Sequence, residues 1–121
     1  MTLPPFELGY ARTELRRRLV DAVLAGRKTA TAGLAEPGEV ADEPGTRYVL
    51  HDYDDRPVGI VEVTDARILA AKEVDVDFAR DEGEGFESVQ DWREAHERFF
   101  NRTIDPETKI SAIRFRLVER L

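Results

Sequence analysis

Residues 47–69 run RYVLHDYDDRPVGIVEVTDARIL. Arg47–Asp52 reads as a strand, and Tyr53-Asp54-Asp55-Arg56-Pro57 as the turn that follows it. Val58–Leu69, rich in Val, Ile and Thr, is the longest strand of the chain. Upstream lies a loop, Glu36–Gly45, punctuated by Pro37-Gly38 and Pro44-Gly45. Before it, Thr29–Leu34 is a short β-branched run that leaves a helix over Thr13–Ala25. In that helix Leu15, Leu19, Ala22 and Val23 recur at helical spacing, Thr13 can cap the start, and Gly26 sits where a left-handed residue ends a helix. Downstream, Glu73–Arg80 suits a short helix. Glu82-Gly83-Glu84-Gly85 is irregular, because two glycines in four residues weaken helix and strand alike. A second main helix follows, with Ser88 at its cap and one broad apolar stripe: Val89, Trp92, Ala95, His96, Phe99 and Phe100. Lys109–Val118 is a closing strand in which Ile113, Phe115 and Leu117 alternate with Arg114 and Arg116.

The order is helix, about three strands, helix, strand. The lack of regular strand–helix alternation speaks against a doubly wound parallel sheet. The pattern predicts an α+β fold: a small, mostly antiparallel, partly closed β-barrel with flanking α-helices. Leu19, Val23, Ile60, Trp92, Phe99, Ile113 and Phe115 are expected in its core. The run Arg16-Arg17-Arg18 is expected to face solvent from the first helix.

With 121 residues the chain makes one domain. It has 0 Cys, which excludes disulfides, thiolate metal sites and a cysteine nucleophile, and with 2 His a zinc site is not expected. No metal or cofactor is expected. No run reaches the roughly 20 apolar residues that span a bilayer. Met1–Tyr10 lacks the positive charge and apolar stretch of a signal peptide. The expectation is a cytoplasmic protein with no membrane partner. The net charge of −7 is unevenly spread: residues 1–34 hold six Lys/Arg against three Asp/Glu, residues 35–87 five against sixteen, and residues 88–121 seven against six. Strong non-specific gripping of nucleic acid needs a basic surface. This balance suits instead a small substrate, or a local basic rim built from the two ends of the chain.

Two segments could carry chemistry. In Gly26-Arg27-Lys28-Thr29-Ala30-Thr31 a helix gives way to a strand. If Lys28 lies in the tight turn rather than in the strand, strict alternation does not separate it from Thr31. A partly desolvated lysine can serve as a base, and a neighbouring hydroxyl as the nucleophile it activates. The backbone N–H groups of that turn would then be the donors to an oxyanion. A lysine after a helix is also the ordinary partner of the last helical carbonyls. Because Lys28 lies outside the apolar pattern, its removal is expected to open no core cavity. The second segment, Asp81-Glu82-Gly83-Glu84-Gly85, crowds three carboxylates. They are either solvated or, if the glycines turn one inward, paired with a cation. Its Gly83-Glu84-Gly85 is acidic and lacks a third glycine, so it is no phosphate loop. His96 fits a hydrogen-bonded position in or at the rim of a helix core, or a catalytic role, and Trp92 fits the core, or the wall of a pocket for a base.

Together these stretches resemble the ASCH domain family, whose fold is PUA-like. Leu24–Thr31 matches its Gly-x-Lys-x-x-Thr signature. Arg56-Pro57, Val61-Glu62-Val63-Thr64, Glu82-Gly83-Glu84-Gly85, Trp92-Arg93, His96, Phe99-Phe100 and Ile113-Arg114-Phe115 follow in order, so the resemblance spans roughly residues 18–118. It implies RNA or nucleotide binding in a cleft. In one small bacterial branch it implies hydrolysis of N4-acetylcytidine by a lysine, threonine and glutamate, which map onto Lys28, Thr31 and Glu82, with Glu84 the alternative carboxylate. Arg27, Thr29, Arg47, Tyr53, Glu84, Trp92, Arg93 and His96 are the candidate substrate-binding residues. The larger branch commonly carries Asp where this chain has Phe86. Two functions follow as alternatives: a hydrolase of N-acylated nucleosides, or a non-catalytic RNA reader in which Lys28, Arg27 and Arg93 grip phosphate and Trp92 or Tyr53 stacks on a base. A ribonuclease is the third.

Overall fold

The computed structural model describes residues 2–121. Helix α1 (Glu14–Leu24) leads to strand β1 (Ala30–Leu34), then β2 (Arg47–His51) and β3 (Pro57–Ala70). A 3₁₀ turn (Ala71–Glu73), a short helix α2 (Val76–Asp81), helix α3 (Val89–Phe100) and β4 (Lys109–Arg120) complete the chain. The helix expected over Glu73–Arg80 is thus a 3₁₀ turn and a later helix, because Asp75 caps the second by accepting from the Phe78 N–H. All strand pairs are antiparallel, in the order β1-β4-β3-β2. Register shifts at Ile60/Val61 and Val63/Asp65 bend β3, and the sheet curls into a half-barrel carrying the three helices. Among the described residues no helix is long and apolar enough to cross a membrane.

The half-barrel has two cores. One joins Phe6 and Leu8 of the N-terminal segment, Leu19, Val20 and Val23 of α1, and Leu50, Val61 and Phe115 of the sheet. The other joins Val74, Phe78 and Ala79 around α2, Trp92 of α3, Ile104, and Ala30, Ile110 and Ala112 of β1 and β4. Of the expected core, Leu19, Val23, Trp92 and Phe115 are buried, while Ile60 and Ile113 are half-buried. Phe99 is instead 45 % exposed. The apolar stripe of α3 is wider than the surface that covers it: the Phe99 ring meets the edge of Phe100, with centroids 5.4 Å apart, and the exposed ring of Tyr10 at 6.3 Å.

The three arginines of α1 do not share a solvated face. Arg16 is buried, and its guanidinium donates to the Leu8 carbonyl at 2.8 Å and the Gly9 carbonyl at 3.1 Å. It thereby ties the irregular N-terminal segment to α1. Arg17 lies over the Tyr53 ring, 4.4 Å from its centroid. Arg18 alone of the three reaches a cavity, described below.

Candidate active site

Between the two cores lies a cavity of about 520 Å³. A second depression of similar size, about 510 Å³, lies at the end of α3 among Glu94, Glu97, Arg98 and Arg102, but it contains no buried titratable group. The cavity between the cores does. Lys28, Glu82 and His96 line it and are each buried, and Thr31, Glu84 and Phe86 line it beside them.

Each of these side chains is placed by local backbone. After α1 the chain turns at Gly26, φ +81°, with the N–H groups of Arg27 and Lys28 both donating to the Ala22 carbonyl. That directs Lys28 inward before β1 begins. The acidic segment is laid on this turn: the Thr29 N–H donates to the Asp81 carbonyl at 2.8 Å. Gly83 makes the contact possible. Its φ is +72°, and a Cβ there would stand 2.5 Å from the Arg27 carbonyl oxygen and 2.8 Å from Lys28 Cα. Both obstacles are backbone and cannot swing away. Gly83→Ala is therefore expected to destabilise the fold by more than the roughly 1–2 kcal/mol of a left-handed residue. It should also part the lysine turn from the carboxylates. Urea unfolding reads the first effect and loss of ligand binding the second.

Lys28 Nζ donates to the Ala30 carbonyl at 2.9 Å and the Glu82 carbonyl at 3.2 Å. Carboxylate oxygens of Glu82 and Glu84 stand at 3.7 and 3.5 Å. Two of its N–H bonds are thus held by backbone, and the remaining tetrahedral position is left for the carboxylates or the cavity. Glu82, 1 % exposed, is the hub. Its Oε2 accepts from the Trp92 indole N–H, and its Oε1 lies 3.4 Å from His96 Nε2. Trp92 and His96 are one helical turn apart on α3, and their rings stack with centroids 4.5 Å apart. Trp92 accordingly stands behind the cavity and holds Glu82 rather than lining the pocket itself.

His96 Nδ1 is 2.8 Å from the Trp92 carbonyl, which only accepts, so Nδ1 carries a proton and Nε2 faces Glu82. Burial pulls the His96 pKa down. The hydrogen bond and charge of Glu82, with the Trp92 carbonyl and the Glu84 charge, outweigh it and hold the pKa above the ordinary 6.5. A raised folded pKa stabilises the protein fully below the unfolded value, and that stability is lost as pH rises through the folded value. Urea midpoints measured upward from about pH 6 should fall across that window. His96→Gln should remove this segment of the pH dependence; an unchanged slope would mean that His96 does not bind the extra proton.

Other residues expected at the site lie outside the cavity lining. Arg47 and Tyr53 belong to β2 and the turn after it, at the opposite edge of the sheet from β1. Arg47 faces Glu62 at 3.8 Å, and Tyr53 is covered by Arg17. Arg27 and Thr29 flank Lys28 but are exposed. Arg93 is next to Trp92 on a helix and so points about 100° away from it. The N–H groups expected to form an oxyanion hole are already used: those of Arg27 and Lys28 by Ala22, and that of Thr29 by Asp81. Conversely Glu7, Leu8, Arg18, Ala95, Arg98 and Phe99 line the cavity without having been expected there. The N-terminal segment has no periodicity to announce its role. Phe86 packs its ring 5.8 Å from that of His96. Among the described residues no group of three His, Asp or Glu side chains is arranged to hold a metal ion.

The family model of the ASCH domain matches residues 8–119. An Enterococcus faecalis protein of known crystal structure superposes with a TM-score of 0.82 at 25 % identity, over 97 % of this chain and 77 % of its own. An ASCH domain from Lactobacillus crispatus gives 0.80 at 25 % identity, over 98 % and 80 %. A hypothetical protein at 17 % identity, with a TM-score of 0.60 over 84 % of this chain and 92 % of its own, supports the fold alone. No curated protein matches the chain.

Proposed function

The chain belongs to the ASCH domain family, and from that premise we propose that its cavity binds an N-acylated pyrimidine nucleoside of the N4-acetylcytidine type and hydrolyses the amide. The observation that carries this is the enclosure of Lys28. Two backbone carbonyls hold two of its N–H bonds, and the fourth position on nitrogen lies among Glu82, Glu84 and the cavity that Thr31 shares. Once a proton has passed from Nζ to a neighbouring carboxylate, the amine keeps both carbonyl hydrogen bonds and offers a lone pair to the Thr31 hydroxyl.

Thr31 Oγ then bonds to the acyl carbon, the hydroxyl proton goes to Lys28, and the carbonyl π electrons move to oxygen. Collapse breaks the C–N bond, and the proton on Lys28 goes to the leaving amine. Water, deprotonated by Lys28, cleaves the threonine ester to acetate and restores the hydroxyl. The N–H groups of Glu84 and Gly85 make no internal backbone hydrogen bond among the described residues. Of the two, Glu84 lines the cavity, and its N–H is the donor assigned to the oxyanion on this reading. Phe86 supplies a face for the pyrimidine.

In a phosphate reader Lys28 would have to meet an anion beside Glu82 and Glu84. Two carboxylates within 3.7 Å of Nζ oppose that. A ribonuclease meets the same obstacle at Lys28. The test is turnover of N4-acetylcytidine by purified protein, followed by loss of substrate absorbance at two ionic strengths. Turnover that is insensitive to salt supports the hydrolase. Absence of turnover of this and related N-acyl pyrimidine nucleosides overturns it.

A further inference from the structure

At the mouth of the cavity Arg18 of α1 and Arg98 of α3 both contribute to the wall, and both are exposed. Neither guanidinium makes an ion pair among the described residues. Several acids near them in sequence are engaged elsewhere: Glu14 pairs with Arg17 at 3.0 Å, Glu97 accepts from the Ile104 N–H at 2.7 Å, and Glu94 accepts from Gln90 at 2.9 Å; Asp21, three residues from Arg18, makes no ion pair with it among the described residues. Glu7 also lines the cavity, so the mouth carries two cations against one anion. The depths are different, with Lys28 and His96 matched by Glu82 and Glu84. Beside the arginines is an aromatic pair. Tyr10 is 76 % and Phe99 45 % exposed, and their rings stack on each other, with Phe99 backed by the edge of Phe100. An exposed pair of this kind beside two uncompensated guanidiniums has the composition of a nucleotide-binding surface.

We propose that this rim is a second subsite, in which Arg18 and Arg98 bind a phosphate attached to the nucleoside held in the cavity. The ligand would then be a phosphorylated nucleoside in preference to the free one. This rests on the nucleoside assignment of the cavity and adds a specificity that assignment does not contain. It also reconciles the acidic chain with a phosphate-bearing ligand: the anion stays at the mouth, away from Glu82 and Glu84, and only the uncharged base enters. The phosphate could belong to a mononucleotide or to a chain of nucleotides. In the second case the next base would stack on Phe99 and Tyr10.

Titration calorimetry with cytidine, cytidine 5′-monophosphate and a short single-stranded oligocytidylate separates these cases. The monophosphate should bind about ten- to a hundredfold more tightly than cytidine, as hydrogen bonds to a charged group imply, and the advantage should shrink with salt. In Arg18→Gln/Arg98→Gln the ratio of the two affinities should approach one, and Arg18→Lys/Arg98→Lys should restore part of it. A further gain with the oligonucleotide that Phe99→Ala removes assigns the phosphate to a chain; equal affinity for monophosphate and oligonucleotide assigns it to a mononucleotide. Measurable cytidine binding with no gain from phosphate, or a gain that survives the double glutamine variant, overturns the rim subsite while leaving the cavity assignment intact. Failure to bind any of the three overturns both.

Discussion

Replacing Lys28 with methionine is expected to lower kcat/KM for N4-acetylcytidine by about 10²–10⁴-fold, the usual contribution of a positioned general base. The same variant should lose stability. Lys28 is 2 % exposed and faces Glu82 at 1 %. Removing one partner of a buried pair costs about 3–5 kcal/mol, because the other charge is stranded. This corrects the expectation drawn from the sequence that the lysine could be deleted without harm to the fold. Catalytic loss and unfolding are separated by the double variant Lys28→Met/Glu82→Gln, which removes both charges. Its urea midpoint should recover toward that of the parent, while turnover stays lost. Recovery of turnover together with stability would mean that Lys28 is a structural ion-pair partner and nothing more.

The second large effect is expected at Thr31. Thr31→Ala should abolish turnover as completely as loss of the base, and Thr31→Ser should retain part of it, since the hydroxyl is kept. Thr31 is half-buried on β1, opposite Ile113 of β4, and its side chain borders the cavity rather than a core. The alanine variant should therefore unfold within about 0.5 kcal/mol of the parent. Kinetics and a urea curve on the same preparation check both halves of this expectation. Full activity in Thr31→Ala would require water to attack the acyl carbon directly, with Lys28 as its base.

The elements were legible where local chemistry specifies them. Ser88 accepts from the Asp91 N–H and opens α3 as its sequence implies, and the Val-, Ile- and Thr-rich run of β3 forms the longest strand. The paired glycines of the acidic segment pointed to a sharp turn. What could not be read was anything that depends on irregular backbone finding a distant partner. Arg16 is buried because the carbonyls of Leu8 and Gly9 meet it, and no periodicity marks those residues. Phe99 follows the apolar spacing of α3 but has no core opposite it. No local signal in the sequence reveals the strand order, which sets Arg47 and Tyr53 on the far edge of the sheet. The role of Trp92 was legible only as burial: that its indole N–H would fix Glu82 requires α2 and α3 to be side by side. The close approach of Gly83 to Arg27 and Lys28 is likewise a property of two loops in register, not of either one.

The mechanism requires an acyl group to reside on Thr31 between the two halves of the reaction. Rapid quenching of the protein with N4-acetylcytidine, followed by intact-mass and peptide mass spectrometry, tests this most directly. The account predicts an acetyl adduct confined to the peptide that contains Thr31, absent from Thr31→Ala and from Lys28→Met/Glu82→Gln. Steady turnover without any adduct, or an acetyl group on another residue that Thr31→Ala does not prevent, would contradict it.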